Sequence, residues 1–221
     1  MAAGAPAADD GGMFSSTPSS LTRILVLAGL GFALAASSCG GSSAEAPAQS
    51  PSSGEDLTEF LLRDEEQPGF SRVESAQTES GAKTYARNLG LSSADADQLQ
   101  QAGFLSITYQ PLTSSVSGMG LTNVQLFATA DGAADWAAHE QRLAVIRDQI
   151  PDAKVHRFTV SGVPGARGWI ASQPDQDPAV NVYWVQGRCL LVLGNQGPQI
   201  VTESLSTGVR AIYARTHGSC P

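Results

Sequence analysis

The chain has 221 residues, of which 42% are hydrophobic and 15% are charged. Domains commonly have about 100 to 200 residues, so this length is ample for one domain with a sizeable core. Thirteen Lys and Arg residues against 21 Asp and Glu residues give a formal net charge of -8, which argues against nucleic acid or another polyanion as a partner.

An apolar segment near the N-terminus has the parts of an export signal. Residues 24–35 are apolar, Arg23 precedes them, and small residues follow. As a helix, the twelve residues span about 18 Å, short of the roughly 30 Å hydrocarbon core of a bilayer. The pattern therefore favours a signal peptide over residues 1–38 rather than a retained membrane helix. Two aspartates lie upstream, where such a signal needs positive charge, so we expect translation to begin at Met13.

The segment ends in a pattern that resembles the lipobox of bacterial lipoproteins. In that family an apolar residue and two small residues precede a cysteine, which is acylated and becomes the first mature residue. Here Ala36, Ser37 and Ser38 precede Cys39; Ala36 replaces the usual Leu, and Ser38 the usual Gly or Ala. The resemblance implies a diacylglyceryl anchor with palmitate-like chains on Cys39. Two acyl chains anchor a protein stably in a membrane. The alternative is ordinary cleavage after the A-x-A sequence at 33–35, which would release a soluble secreted protein.

The number of cysteines favours the lipid-anchored alternative. If Cys39 carries lipid, Cys189 and Cys220 form an even pair for a disulfide in an oxidising compartment; otherwise one thiol is left over. Residues 39–55 contain Ser, Pro and Gly but no large apolar side chain, which is typical of a flexible tether. The tether has an r.m.s. reach of about 20 to 24 Å, so we expect the folded domain to lie just off the bilayer.

Periodic hydrophobicity predicts a single α+β domain over residues 56–221, with a mostly antiparallel sheet, two longer helices packed on it and one disulfide. A short apolar element is expected at 57–62. The predicted helices cover residues 84–88, 94–102, 131–150 and 198–216. The predicted strands cover residues 104–109, 121–127, 155–160, 168–171, 180–185 and 189–193. Ser93 is expected to cap the second helix, and Pro151 to end the third and longest one.

No catalytic residue, metal site or cofactor is predicted. His139, His156 and His217 stand alone, without another ligand at metal-binding spacing, and the common catalytic and phosphate-binding motifs are absent. We expect His139 to be a partly buried, hydrogen-bonded residue at the edge of the core. Acidic residues at 64–66 and at 175 and 177 lie in predicted loops, where solvated charge is the usual explanation.

Four large aromatic residues are the candidates for a ligand pocket between helix and sheet. Trp136 lies on the third predicted helix, Trp169 on one strand, and Tyr183 and Trp184 on another. Such residues line pockets in many proteins. The alternative is that they fill the core, which is what aromatic side chains chiefly do in domains of this size.

Three short sequences prompt a resemblance to known proteins. They are residues 165–169 (GARGW), 182–189 (VYWVQGRC) and 207–213 (TGVRAIY). With the signal and tether, they resemble uncharacterised secreted lipoproteins of actinobacteria and, more weakly, extracytoplasmic sensor domains of mycobacterial kinases. The resemblance implies a location outside the cytoplasmic membrane and transfers no catalytic or ligand-binding residue to this chain.

These observations lead to one main functional hypothesis and two alternatives. The main hypothesis is a non-enzymatic, lipid-anchored binding or sensor-like domain on the extracytoplasmic face, which holds a small apolar ligand, cell-envelope material or an envelope protein. The first alternative is a cell-envelope hydrolase, which requires a hydroxyl, a carboxylate and a histidine to converge in a cleft. The second is a purely structural envelope lipoprotein with a closed core.

Overall fold

The computed structural model describes residues 55–114, 118–199 and 202–220. The signal peptide, the start at Met13, the acylated Cys39 and residues 39–54 of the tether lie outside the described residues and stay predictions. Within the described residues, no helix has both the length and the apolar character needed to cross a membrane.

One antiparallel sheet of eight strands forms the middle of the domain as described. Its strands are β1 (Ser71–Arg72), β2 (Gln77–Ser80), β3 (Phe104–Ser114), β4 (Gly118–Phe127), β5 (Lys154–Thr159), β6 (Arg167–Ser172), β7 (Ala179–Gln186) and β8 (Cys189–Gln196). They run in the order β1-β3-β4-β8-β7-β6-β5, and β2 also pairs with β3. The predicted α+β class with a mostly antiparallel sheet is confirmed, and the six predicted strands overlap β3 to β8.

Five α-helices and a 3-10 turn cover the sheet within the described residues. The helices are α1 (Ala82–Leu89), α2 (Ser93–Gln101), α3 (Ala130–Glu140), α4 (Leu143–Gln149) and α5 (Thr202–Thr216), and the 3-10 turn is Thr58–Phe60. The turn lies in the short apolar element predicted at 57–62. Helix α5, with 15 residues, is the longest of them.

Side chains alternate across each strand, so the sheet has two apolar faces. One face packs against α1 to α4, and its core includes Ile107, Leu121, Leu190, Leu99, Trp136 and Ile146. The other face packs against the 3-10 turn and α5, and its core includes Val124, Val182, Leu191, Phe60, Leu205 and Val209. The domain is therefore a three-layer arrangement with helical cover on both sides of the sheet.

Strand β8 lies between β4 and β7, near the middle of the sheet. All eight of its residues are buried. The continuous apolar run at 189–193 predicted a strand covered on both faces, and the structure confirms it. Full burial of each such Leu or Val side chain contributes about 1.5 to 3 kcal/mol, and the residues of this strand contribute to both cores.

The single helix predicted over residues 131–150 is wrong, because the backbone breaks into α3 and α4. Arg142 adopts an extended conformation with φ -66° and ψ 137°. Side chains satisfy carbonyls beside the break, since the Gln141 amide donates to Ala137 O at 3.0 Å and Arg157 Nη2 donates to Gln141 O at 2.6 Å. These bonds replace helical partners that the break removes.

Two predicted helix starts are also corrected. Ser92, not Ser93, caps α2, because its Oγ accepts a hydrogen bond from Asp95 N at 3.1 Å. The C-terminal helix begins at Thr202 rather than at Pro198. Gly103 does follow α2 with a positive φ of 78°, the conformation that a glycine at a helix end adopts readily.

The predicted disulfide between Cys189 and Cys220 is confirmed. The two Cα atoms are 5.8 Å apart, and the cysteines are separated by 31 residues. Cys189 begins the buried strand β8, and Cys220 follows α5. The bond therefore ties the C-terminal segment to the middle of the sheet and closes a ring that contains both β8 and α5.

Candidate functional site

A cleft of about 510 Å³ lies beside α3, where the helix meets the β5–β6 hairpin and β7. Its lining consists of Ala134, Ala137, Ala138, Gln141, Arg142, Arg157, Pro164, Gly165, Arg167, Tyr183, Trp184 and Val185. The volume is within the range of about 300 to 1,000 Å³ that is usual for small-molecule sites. The cleft is the candidate functional site.

One wall of the cleft is an alanine face on α3. Ala134, Ala137 and Ala138 follow the spacing i, i+3, i+4 and so share one side of the helix. Their methyl groups leave the space that larger side chains would fill. Across the cleft, Tyr183 and Val185 alternate on β7 and share the sheet face that packs against α3. The two walls are thus mainly apolar.

Three arginines are the charged residues of the lining, which holds no Asp or Glu. Arg157 lies opposite Trp169 in the β5–β6 pair, and Arg167 lies opposite Tyr183 in the β6–β7 pair. Residues directly opposite in antiparallel strands share a face, so both arginines emerge on the side of the sheet that carries α3. Arg142 reaches the cleft from the break between α3 and α4.

The cleft arginines, like Arg63, Arg87 and Arg147, form no ion pair within the described residues, whereas four other arginines do. Four arginines elsewhere pair with carboxylates, in the ion pairs Arg72–Asp64, Arg188–Glu55, Arg210–Glu203 and Arg215–Glu66. Within the described residues, no carboxylate forms an ion pair with a cleft arginine. Their guanidinium groups therefore keep donors available to an anion.

A second, internal space lies beneath α3. This cavity of about 10 Å³ is lined by Leu121, Asn123, Gln125, Glu140, Asn181, Tyr183, Val192 and Gly194, and has room for about one water molecule. Asn123 Oδ1 and Gln125 Oε1 are buried without a hydrogen-bond partner among the described groups. The centre of this sheet face is therefore polar, although a hydrophobic core surrounds it.

Glu140, at the end of α3, directs its carboxyl group to this cavity. Burial, and to a smaller degree the negative charge of Asp95, raise the pKa of the carboxyl from 4.5 to about 7. Burial also raises the pKa values of the neighbouring Tyr85 and Tyr183 hydroxyls, to which the Glu140 charge contributes. A protonated Glu140 supplies a hydrogen-bond donor in a cavity where Asn123 Oδ1 and Gln125 Oε1 have no partner.

Ser92, Asp95 and His139 lie close together but not in the order that activates a serine. His139 Nε2 is 3.1 Å from Asp95 Oδ1, and Ser92 Oγ donates to Asp95 Oδ2 at 2.7 Å. In a nucleophile triad the histidine lies between the hydroxyl and the carboxylate; here the carboxylate lies between the other two. Ser92 serves as the helix cap instead.

The surroundings of His139 are those of a core-edge residue. Its ring stacks on Trp136 with 4.7 Å between centroids. Its pKa lies below 6.5, because burial outweighs the favourable effect of Asp95. The neutral ring thus packs as part of the core, as the sequence predicted.

The four predicted pocket aromatics are all buried, but the sheet separates them. Trp136, Trp169 and Tyr183 belong to the core under α1 to α4, whereas Trp184 belongs to the core under α5. Tyr183 and Trp184 line the cleft, and Trp136 and Trp169 are not among its lining residues. A ligand-binding role for these side chains stays a prediction.

Two residues of the acidic run at 64–66, Asp64 and Glu66, are held in ion pairs. Arg72 lowers the pKa of Asp64 to about 2, and Arg215 binds Glu66 through Nε and Nη2. Within the described ranges, no group of three or more His, Cys, Asp or Glu side chains is arranged to hold a metal ion.

Sequence reasoning missed the cleft arginines. Arg142, Arg157 and Arg167 are far from any common motif and lie on different elements. The available signal was the alternation of side chains along each strand. It places Arg167 on the same face of its strand as Trp169, and strand pairing then places Arg157 on that face as well. That signal becomes informative only once the pairing of β5, β6 and β7 is known.

Comparisons with known proteins give little further information. No protein-family model matches the chain, and no curated protein matches it. Among solved structures, the extracellular domain of PknH from Mycobacterium tuberculosis is similar at 12% identity, with 73% of this chain and 95% of that chain covered and a TM-score of 0.46. A similarity of this size assigns no function to the chain.

Proposed function

We propose that the protein is a lipid-anchored binding domain on the extracytoplasmic face of the membrane, and that its ligand occupies the cleft beside α3. The cleft itself is the observation that carries this proposal. It has the volume of a small-molecule site, apolar walls from α3 and β7, and polar groups at its rim. A purely structural domain has no need for a row of alanines facing an open space.

The alanine face offers a direct test. Ala138 is exposed on α3, so Ala138→Trp places a large side chain in the cleft without disturbing the core. Ala94 is exposed on α2 and lies outside the cleft lining, which makes Ala94→Trp the matched control. The probe is N-phenyl-1-naphthylamine, a neutral apolar dye whose fluorescence rises in an apolar site.

The proposal expects saturable dye binding to the wild-type domain and to the Ala94→Trp variant, and at least tenfold weaker binding to the Ala138→Trp variant. Circular dichroism checks that both variants fold. Equal binding by both tryptophan variants, or no saturable binding by the wild type, would remove the cleft as a ligand site.

Support for the anchor comes from the sequence around Cys39 and from the confirmed disulfide. The lipobox-like pattern precedes Cys39, and the Cys189–Cys220 bond uses the other two cysteines. Structural disulfides persist in oxidising compartments outside the cytoplasm. Both features agree with an exported protein whose remaining cysteine is acylated.

Intact mass spectrometry of the native protein from a membrane fraction tests the anchor. We expect a mature chain that begins at Cys39 with the added diacylglyceryl mass, and two alkylatable thiols that appear only after reduction. A soluble chain that begins at Ala36 would overturn the anchor and leave the cleft proposal intact.

A further inference from the structure

We propose that the cleft selects anionic amphiphiles, with an oxyanion headgroup held by Arg142, Arg157 and Arg167 and an apolar body along the alanine face of α3. This inference rests on the proposed function, because it names the chemistry of the ligand in the same cleft. The headgroup chemistry is a phosphate or a carboxylate, carried by a free molecule or by a membrane lipid.

The charge of the cleft is opposite to that of the chain. The chain carries a formal charge of -8, yet the cleft lining includes three arginines and neither Asp nor Glu. A cleft lined by one sign of charge raises the local concentration of ligands of the other sign. In an acidic protein, such a site attracts an anion that the rest of the surface repels.

The partners of the arginines strengthen this argument. Elsewhere in the described residues, four of seven arginines, Arg72 and Arg215 among them, are paired with carboxylates. In the cleft, Arg157 donates to the Gln141 carbonyl, and carboxylate partners are absent within the described ranges. Arginine binds carboxylate and phosphate oxygens with paired donors, so an anionic headgroup supplies the partners that these side chains lack.

The backbone positions of the three arginines lie near one another along the lining of the cleft. Arg157 lies opposite Trp169, and Arg167 lies two residues before Trp169 on the same strand, so the two arginines are diagonal neighbours about 7 to 8 Å apart at the backbone. The hydrogen bond from Arg157 to Gln141 O, at 2.6 Å, holds that side chain towards the neighbouring Arg142. One headgroup is therefore within reach of all three.

Five apolar residues of the remaining lining, which also includes Gln141 and Tyr183, match an apolar body. Ala134, Ala137 and Ala138 form one side, and Val185 and Pro164 contribute from the strand and loop opposite. These groups offer no hydrogen-bonding side chain to a sugar or another polar body. An amphiphile buries its chain here while its headgroup remains at the arginine end.

The test compares three probes by isothermal titration calorimetry at low and at physiological salt. Octyl phosphate carries the headgroup and the chain, octyl glucoside carries the same chain on a neutral head, and inorganic phosphate carries the charge alone; both detergents are kept below their micelle concentrations. The variants are the double substitution Arg157→Gln with Arg167→Gln, and Arg87→Gln as the control, since Arg87 is exposed on α1 and outside the cleft.

We expect octyl phosphate to bind at least tenfold more tightly than octyl glucoside, and more weakly as salt rises. The double variant is expected to lose this preference, and Arg87→Gln to keep it. Ala138→Trp is expected to weaken both detergents. A further experiment measures sedimentation of the domain with vesicles of phosphatidylglycerol or of phosphatidylcholine. Arginine-dependent binding to phosphatidylglycerol vesicles identifies a membrane lipid as the source of the headgroup. Binding of octyl phosphate without binding to vesicles identifies a free amphiphile.

Two results would overturn the inference. If both detergents bind equally, and Ala138→Trp weakens both while the arginine variants change nothing, the cleft binds ligands without selecting anions, and the proposed function stands. If no probe binds with an affinity that Ala138→Trp reduces, the inference and the proposed function both fail.

Discussion

Glu140 provides a sharp test of the polar cavity beneath α3. Its carboxyl group lies at the polar cavity beneath α3, where burial and Asp95 raise its pKa from 4.5 to about 7. In the unfolded chain the carboxyl ionises near its ordinary pKa. Between these two pKa values, the folded state still holds a proton that the unfolded state has already lost. In that pH window the free energy of unfolding therefore falls as pH rises.

The size of the effect follows from the two pKa values. The contribution of the protonated group is fully present below pH 4.5 and is lost by the time pH has risen through about 7. One pKa unit corresponds to 1.36 kcal/mol, so the wild-type domain is expected to lose about 3 kcal/mol of unfolding free energy across this window. Glu140→Gln keeps the shape of the neutral carboxyl and does not titrate, so it removes this loss.

The assay is urea unfolding of wild type and variant at pH values from 4.5 to 8.5. Charged and titratable groups near Glu140 are Asp95 on α2, Tyr85 on α1, Tyr183 on β7 and His139 on its own helix. His139 has a lowered pKa, so its own contribution to stability is lost as pH falls, opposite in sign to that of Glu140. The difference between variant and wild type isolates the Glu140 contribution.

We expect Glu140→Gln to match the wild type within about 1 kcal/mol at pH 4.5 and to exceed it by about 3 kcal/mol at pH 8. The control is Glu65→Gln, which makes the same chemical change at an exposed loop position. A difference for Glu140→Gln that does not change across the window would show that the carboxyl is solvated in the folded domain, and would refute the buried cavity.

Two further predictions concern stability. Replacing Cys189 and Cys220 together by Ser is expected to lower the free energy of unfolding by about 3 to 4 kcal/mol, measured by urea unfolding without reductant. Reduction of the wild type is expected to give the same loss. An unchanged free energy of unfolding would contradict the stabilisation by ring closure. Gly132→Ala is expected to lower the free energy of unfolding by about 1 to 3 kcal/mol, because the added Cβ would clash with the Ala102 carbonyl oxygen. This clash outweighs the gain of about 1 kcal/mol in helix propensity. A higher unfolding midpoint for this variant would show that α2 and α3 separate easily.

The sequence predicted the sheet more accurately than the helices. Alternation and buried apolar runs located β3 to β8, because strand pairing follows local hydrophobic patterns and turns. The break at Arg142 escaped prediction because Trp136, His139, Ile146 and Ile150 keep one apolar stripe across it. Periodicity reports which face is buried; it does not report whether the backbone between two turns is continuous.

The candidate site was predictable only in part. Tyr183 and Trp184 were selected for their size, and both line the cleft. Adjacent strand residues point to opposite faces, and the two side chains do belong to different cores. The arginines depend on strand register between distant segments, which a single sequence does not contain.

The two ends of the described domain meet at one corner. Glu55 pairs with Arg188 in the β7–β8 turn, and Cys220 lies against Gly187 in the same turn. With Cys39 acylated as proposed, tension along the tether enters the fold at this corner, beside the disulfide that holds Cys220. A circular permutant that joins the two ends needs only a short linker.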